Sequence, residues 1–325
     1  MITRLLERLS GLLIWVGLFF LQNPAFAGGV VASPTEGSLR AAMAGGGVVT
    51  FNCSGTIYLA GSLVISNQTA LDGTGQSIAI SGSNAVQIFV VYSGGALSLT
   101  NLTVADGFAA GPSYSNSPVP VAGWGGAVSN AGNLQAVGCV FSNNAAWSYT
   151  QADPYSAYFT LPGGFGGAVY NVGSASLSGC MFVNNTATGA HGAIDQFAPG
   201  YIDLTGGDGS GGALYSSSSA VIVNCVFSNN LATGGDGATL RGLDSGVSYN
   251  RGGPAGAGYG GACCNTGVIL VSNCAFAANF STGGAGGPGP AGLDEVYGGQ
   301  RGYSGGCRGR GTAAHFASRT VLPRL

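Results

Sequence analysis

Residues 125–144 read GGAVSNAGNLQAVGCVFSNN, and the pattern returns without a gap at 166–185 (GGAVYNVGSASLSGCMFVNN), 211–230 (GGALYSSSSAVIVNCVFSNN) and 260–279 (GGACCNTGVILVSNCAFAAN). Each unit has 20 residues, whereas the segments between successive units have 21, 25 and 29 residues. A constant core joined by connections of variable length is typical of stacked coils whose loops project from one side. This repeat decides the fold class.

Three positions of the unit hardly vary, and in stacked coils each would become a ladder. Short apolar runs alternate with a period of two, as at Val221 and Val223 or at Ile269 and Val271, which predicts strands rather than helices. Inward side chains stacked at about 4.8 Å, with Asn amides bonded along the stack, account for such columns in a parallel β-solenoid. The predicted ladders are Cys139, Cys180, Cys225 and Cys274; Phe141, Phe182, Phe227 and Phe276; and Asn144, Asn185, Asn230 and Asn279.

Further segments lie before and after the four repeats in the sequence. Arg4 and Arg8, an apolar run over 12–21 and an Ala-x-Ala site at 25–27 predict a cleaved secretory signal, with an uncleaved membrane anchor as the alternative. A helix near 38–44 is expected to cover the N-terminal end. The predicted parts are a signal peptide (1–27), an N-terminal cap (28–47), N-terminal coils (48–107), a β-helix with four repeats (108–304) and an irregular Arg-rich tail (305–325).

A fifth unit opens at Gly305, but its Cys, Phe and Asn positions hold Arg319, Val321 and Arg324. Four of the ten Arg residues also lie in the last 18 positions. We interpret this tail as a shifted or truncated reading frame, or else as a genuine, poorly ordered end. An open C-terminal edge would invite self-association of the protein.

The GGA motif, followed 16 residues later by F-x-x-N and repeated four times, resembles the repeats of chlamydial polymorphic outer membrane proteins and of related bacterial right-handed parallel β-helix proteins. The resemblance is firm over 125–279 and looser over 48–107. It implies a surface-exposed or secreted protein, in some members an adhesin, and it implies no catalytic residues. Those outer membrane proteins are much longer and end in a β-barrel, for which this sequence offers no matching segments.

Composition narrows the function. The chain has 61 Gly among 325 residues, a net charge of -2 and no Lys, so no basic patch could follow a nucleic acid backbone. Parallel β-helices also include polysaccharide lyases and hydrolases, which need clustered carboxylates and a basic residue. Only His191, Gly192 and Asp195 resemble such a site, and they lie in a variable loop. The enzyme therefore stays the alternative, and no catalytic residue is assigned.

No cofactor or metal is expected. Four cysteines in a line do not offer the tetrahedral geometry that Zn²⁺ prefers, so the column is interpreted as buried thiols, with disulfides between neighbouring coils left open. Of Cys263 and Cys264, only one can point inward, and Cys53 and Cys307 have no predictable partner. Carboxylates set among glycines could hold Ca²⁺ weakly, although solvated turns explain them better: Asp203, Asp208, Asp236 and Asp244.

Aromatic residues in the variable loops suggest a function. The first loop concentrates Trp147, Tyr149, Tyr155 and Tyr158, and exposed rings there suit recognition of a glycan or a protein on a host or neighbouring cell. Packing of these rings on one another is the alternative. The sequence predicts an all-β, right-handed parallel β-helix, exported to the outside or the outer-membrane surface, that is adhesin-like and not an enzyme. A purely structural spacer is the third interpretation.

Overall fold

The computed structural model describes residues 28–111, 123–148, 161–192, 194–195, 205–240 and 253–287. Within these ranges the chain consists of short strands and a single helix, Glu36–Met43, and every strand pairing is parallel. The predicted all-β architecture of stacked parallel coils is confirmed at this level. The predicted signal peptide and the Arg-rich tail lie outside the described residues.

Three sheets surround the core. Sheet A has eight strands: Val30–Val31, Gly47–Phe51, Gln68–Asp72, Ala96–Thr100, Asn133–Val137, Ser174–Ser178, Ser219–Val223 and Val268–Ser272. Sheet B has seven: Gly55–Tyr58, Ile78–Ser81, Thr103–Ala105, Val140–Ser142, Met181–Val183, Val226–Ser228 and Ala275–Ala277. Sheet C has six: Leu63–Ile65, Phe89–Val91, Val128–Asn130, Val169–Asn171, Leu214–Ser216 and Cys263–Asn265.

The remaining sheets lie where the chain leaves and rejoins each coil. Sheet D contains the leaving strands Phe108–Ala110, Ala145–Trp147, Thr186–Thr188, Leu231–Thr233 and Phe280–Thr282. Sheet E contains the returning strands Gly123–Trp124, Gly164–Phe165, Gly209–Ser210 and Gly258–Tyr259. A two-stranded sheet pairs Ile194–Asp195 with Thr239–Leu240. Each GGA unit therefore runs through sheets C, A and B in that order, with a strand of sheet E directly before it and a strand of sheet D directly after it.

Single residues with positive φ make the corners between sheets. The corner from sheet A to sheet B is made by Asn101, Gly138, Gly179, Asn224 and Asn273, and the corner from sheet B to sheet D by Asp106, Asn143, Asn184, Asn229 and Ala278. Gly, Asn and Asp tolerate the left-handed region better than other residues do. One residue per corner keeps the coils in register, so equivalent residues stand 41, 45 and 49 positions apart while the loops absorb the difference.

The helix packs beside the first strands of sheet A. Thr35 caps it by accepting a hydrogen bond from the Ser38 N–H at 3.3 Å, and Leu39 and Ala42 on its inner face are buried in the core. Arg40 donates to Glu36 at 2.8 Å and to the Gly61 carbonyl at 2.6 Å. Glu36 also accepts from the Ala60 N–H at 3.0 Å, so this pair fastens the helix to the loop between sheets B and C.

Acid is expected to loosen this contact. The Ala60 N–H, followed by Arg40, lowers the pKa of Glu36 below its ordinary value of 4.5. A carboxyl whose pKa is lowered on folding stabilises the protein above that ordinary value, and the contribution is lost as the pH falls below it. We expect Glu36→Gln to lower stability modestly at pH 7 and to flatten its decline between about pH 5 and pH 3, as measured by urea unfolding at each pH. An unchanged decline would contradict this account of Glu36.

The described part of the chain contains no helix with the length and hydropathy that a membrane span requires.

Candidate functional site

The Phe and Asn columns form continuous ladders inside the coils. Asn144, Asn185, Asn230 and Asn279 each donate to a main-chain carbonyl of the preceding coil, and the first three also donate to the next Asn Oδ1 at 3.0, 2.9 and 2.8 Å. The rings stack at 4.8, 4.7 and 4.9 Å, nearly parallel, along Phe141, Phe182, Phe227 and Phe276. The ladder residues of the first three units are buried and hold the scaffold together, and Phe276 and Asn279 of the fourth unit are partly buried.

A second polar ladder at the end of sheet C was missed from the sequence. Asn130 donates to Asn171 at 2.7 Å, and Asn171 donates to the Ser216 hydroxyl at 3.0 Å. The only hydrogen of that hydroxyl goes to the Ser218 carbonyl at 3.3 Å. Asn265 Oδ1 is therefore buried without a hydrogen-bond partner. The signal was present in the sequence, because Asn, Asn, Ser and Asn stand five residues after the first Gly of each unit.

Ser216→Asn should repair this ladder. The new amide would accept from Asn171 and donate to Asn265 Oδ1, which satisfies a buried acceptor whose isolation costs about 1–3 kcal/mol. We expect the free energy of unfolding to rise by about 1 kcal/mol in urea titrations. Ser217→Asn, at the exposed neighbouring position, is the matched control and should change little. A destabilised Ser216→Asn variant would show that the site has no room for an amide.

The cysteine column contains free thiols. Cys180 Sγ donates to the Ala136 carbonyl at 3.4 Å, and Cys225 Sγ accepts from the Cys180 N–H at 3.4 Å. The hydrogen bond with Cys139, followed by burial, raises the pKa of Cys180 to about 12, which disfavours the reactive thiolate. Cys263 packs against the core, whereas Cys264 lies on the outer side of sheet C. No group of three or more metal-ligating side chains occurs among the described residues.

Sheets D and E continue into leaving segments (188–192, 233–238, 282–287) and returning segments (161–164, 205–209, 253–258), and we call the two sheets together with these segments the glycine flank. Gly234 donates to Thr282 and Gly237 to Ala285 in the next leaving segment, whereas Gly235 donates to Gly207 in a returning one. Hydrogen bonds to the same neighbouring segment therefore recur at every third residue, as in an extended helix with three residues per turn. The segments pack so closely that a Cβ on Gly235 would lie 1.9 Å from the Ala190 carbonyl oxygen. Glycine is therefore required in the flank.

The polar loop residues complete this hydrogen-bond pattern. His191 Nδ1 accepts from the Asp236 N–H at 3.1 Å and lies 3.2 Å from the Asp236 carboxylate. Asp236 accepts from the Ala285 N–H at 2.6 Å, and Asp208 accepts from the Ala257 N–H at 2.8 Å. These carboxylates thus bind the next coil, a role that the interpretation as solvated turns did not include. The side chain of Asp195 and all of Asp203 and Asp244 lie outside the described residues.

An aromatic row runs along the outside of the corner between sheets E and C. Trp124 stacks on Tyr170 with ring centroids 5.6 Å apart, and Tyr170 stacks on Tyr215 at 5.5 Å. Phe165 meets Tyr215 edge-on at 5.0 Å. Trp124 is 43% exposed. The sequence shows one trace of this row, since an aromatic residue precedes GG in three of the four units.

Of the candidate loop residues, the structure describes Trp147, which is 44% exposed and touches Phe108 edge-on at 5.9 Å. Tyr149, Tyr155 and Tyr158 lie outside the described residues. Ala146 and Gly123 are buried between the neighbouring strands of sheets D and E, and side chains alternate along a strand. Trp147 and Trp124 therefore lie on opposite faces of the flank.

No protein-family model and no curated protein sequence matches this chain.

Proposed function

We propose that this protein is an exported, non-enzymatic right-handed parallel β-helix that binds a glycan or a protein of a cell surface or matrix through the faces of its glycine flank. The helix Glu36–Met43 covers the N-terminal end in this proposal, and the signal-like first 27 residues support export. The observation that carries the proposal is the pair of exposed indoles, Trp124 and Trp147, one on each face of a tightly hydrogen-bonded flank.

Rigid, exposed aromatic side chains provide much contact area at little entropic cost, which is why they dominate binding surfaces. The coils beneath them are held by parallel pairing and by the two polar ladders, so little conformational freedom would be lost on binding. Binding would combine several weak contacts along one scaffold.

The test is retention of the purified full chain on immobilised polysaccharides and extracellular matrix proteins, with the liquid phase assayed for released reducing and unsaturated sugars. We expect retention without release, and at least about tenfold weaker retention for the Trp124→Ala/Trp147→Ala variant. Tyr58→Ala, at an exposed tyrosine of sheet B, is the control and should bind normally. Sugar release would favour the polysaccharide-cleaving enzyme, and no retention at all would favour the structural spacer.

A further inference from the structure

The rings of the aromatic row stack on one another and form one continuous surface. Trp124, Tyr170 and Tyr215 come from three successive coils, and their planes lie within 14° and 7° of the next ring. Phe165 supports the row from the side, with its ring 6.4 Å from Tyr170. Each ring is thus held by its neighbours, and the row follows the coil spacing of about 4.8 Å.

The Trp124 end of the row is exposed. Among the described residues, sheet E begins at Gly123–Trp124, so no strand of that sheet lies before the indole. Tyr170 stacks against the indole, and Trp124 as a whole is 43% exposed. At the other end, the small Cys264 follows Tyr215 in its column, and the adjacent Tyr259 is 51% exposed.

The charges of the described surface argue against an anionic ligand. Arg40 is the only Arg or Lys in the described ranges, and it is engaged by Glu36 and by main-chain carbonyls at the N-terminal helix. Asp208 is the charged residue of the described flank that lies nearest to the row in sequence, two residues before Ser210 of sheet E. Its side chain is a carboxylate. Burial, with Tyr215 nearby, raises the pKa of Tyr170, so its hydroxyl stays a neutral hydrogen-bonding group.

We infer that this row binds a neutral glycan. A pyranose ring would place its C–H face against the exposed indole of Trp124, since the face of an aromatic ring carries the negative end of its quadrupole. Sugar hydroxyls would meet the hydroxyls of Tyr170 and Tyr215, which can both donate and accept. Apolar rings with polar edges match a sugar, which is itself apolar on its faces and polar at its rim. This inference rests on the proposed function and names the ligand class for the Trp124 face.

Tryptophan fluorescence can report on this site alone. The chain has three Trp, so the Trp15→Phe/Trp147→Phe variant of the full chain keeps Trp124 as its only indole. This variant is titrated with neutral glycans (laminarin, xyloglucan, galactomannan, chitin oligosaccharides), with acidic ones (polygalacturonate, heparin) and with an apolar peptide. We expect a saturable change in emission with a neutral glycan, unaffected by 0.5 M salt.

Substitution then locates the contact. In wild-type protein, Trp124→Ala should weaken the affinity for that glycan about tenfold or more, Tyr170→Phe less, and Tyr58→Ala not at all. Circular dichroism verifies that each variant keeps its strands. A response only to acidic glycans or to the peptide, or none at all, overturns the inference, as does glycan binding that survives Trp124→Ala. The proposed function fails separately, if the wild-type chain is retained on no glycan and no matrix protein.

Discussion

Replacing Gly167 by Ala is expected to destabilise the protein by about 3 kcal/mol or more. Gly167 is the second glycine of its GGA unit, at the corner between sheets E and C. A Cβ there would lie 2.1 Å from the Gly212 carbonyl oxygen and 2.4 and 2.5 Å from the main-chain O and N of Thr186. All three are main-chain atoms, with Gly212 in the next coil and Thr186 in the sheet D strand that follows the same unit. To admit one methyl group, Gly167 would therefore have to move away from both the next coil and sheet D. Urea unfolding monitored by far-UV circular dichroism measures the loss.

Two further glycines separate the effect of close atomic contact from the effect of backbone strain. Gly179 has φ +62°, but a Cβ there would meet nothing nearer than 3.9 Å, so Gly179→Ala isolates backbone strain and should cost only about 1–2 kcal/mol. Gly37 lies in the helix with no atom within 4 Å of its Cβ position, so Gly37→Ala should stabilise by up to about 1 kcal/mol. If Gly167→Ala were no worse than Gly179→Ala, close approach of the coils would not explain the GGA motif.

The fold could be predicted from the sequence because the same strand pattern occurs in four successive units. A 20-residue unit with period-two alternation requires strands in register, and the parallel sheets confirm this. The direction of the side chains was harder to predict. Alternation at Val221 and Val223 predicts that these two side chains face the core, yet Ala220 and Ile222 are buried and Val221 is 37% exposed. Where both faces of a strand are apolar, alternation cannot choose between them.

The candidate site was less accessible to sequence reasoning. Trp147 was named because it stands in a loop rich in aromatic residues, whereas the stacked row joins Trp124 to Tyr170 across a corner and between two coils. Two residues 46 positions apart become neighbours only through the 41-residue register between those coils. The buried Asn265 Oδ1 without a partner was hard to predict for the same reason. Only the stacking of the coils places Ser216 between the side chains of Asn171 and Asn265.

Asn185→Asp is expected to cost about 3–5 kcal/mol at pH 7, although the two side chains have the same shape. Asn185 is fully buried, and its amide nitrogen donates to the Phe141 carbonyl at 3.0 Å and to Asn230 Oδ1 at 2.9 Å. A carboxylate would turn both contacts into oxygen facing oxygen, and the only Arg or Lys among the described residues, Arg40, lies in the N-terminal helix. The stability of the variant is measured by urea unfolding between pH 3 and pH 8, relative to the wild type at each pH.

The pH dependence identifies the cause. Burial and the two facing oxygens should raise the pKa of the new carboxyl above its unfolded value of about 3.9. A group whose acid pKa is raised on folding favours the folded state at low pH, so the deficit of the variant should shrink toward pH 3.5 and grow as the pH rises. Asn184→Asp is the matched control: this exposed residue belongs to the corner column in which Asp106 already occupies an earlier coil, and it should change stability little at any pH. An equal deficit at pH 3.5 and pH 7 would mean that the missing amide hydrogens, and not the charge of the buried carboxylate, destabilise the ladder.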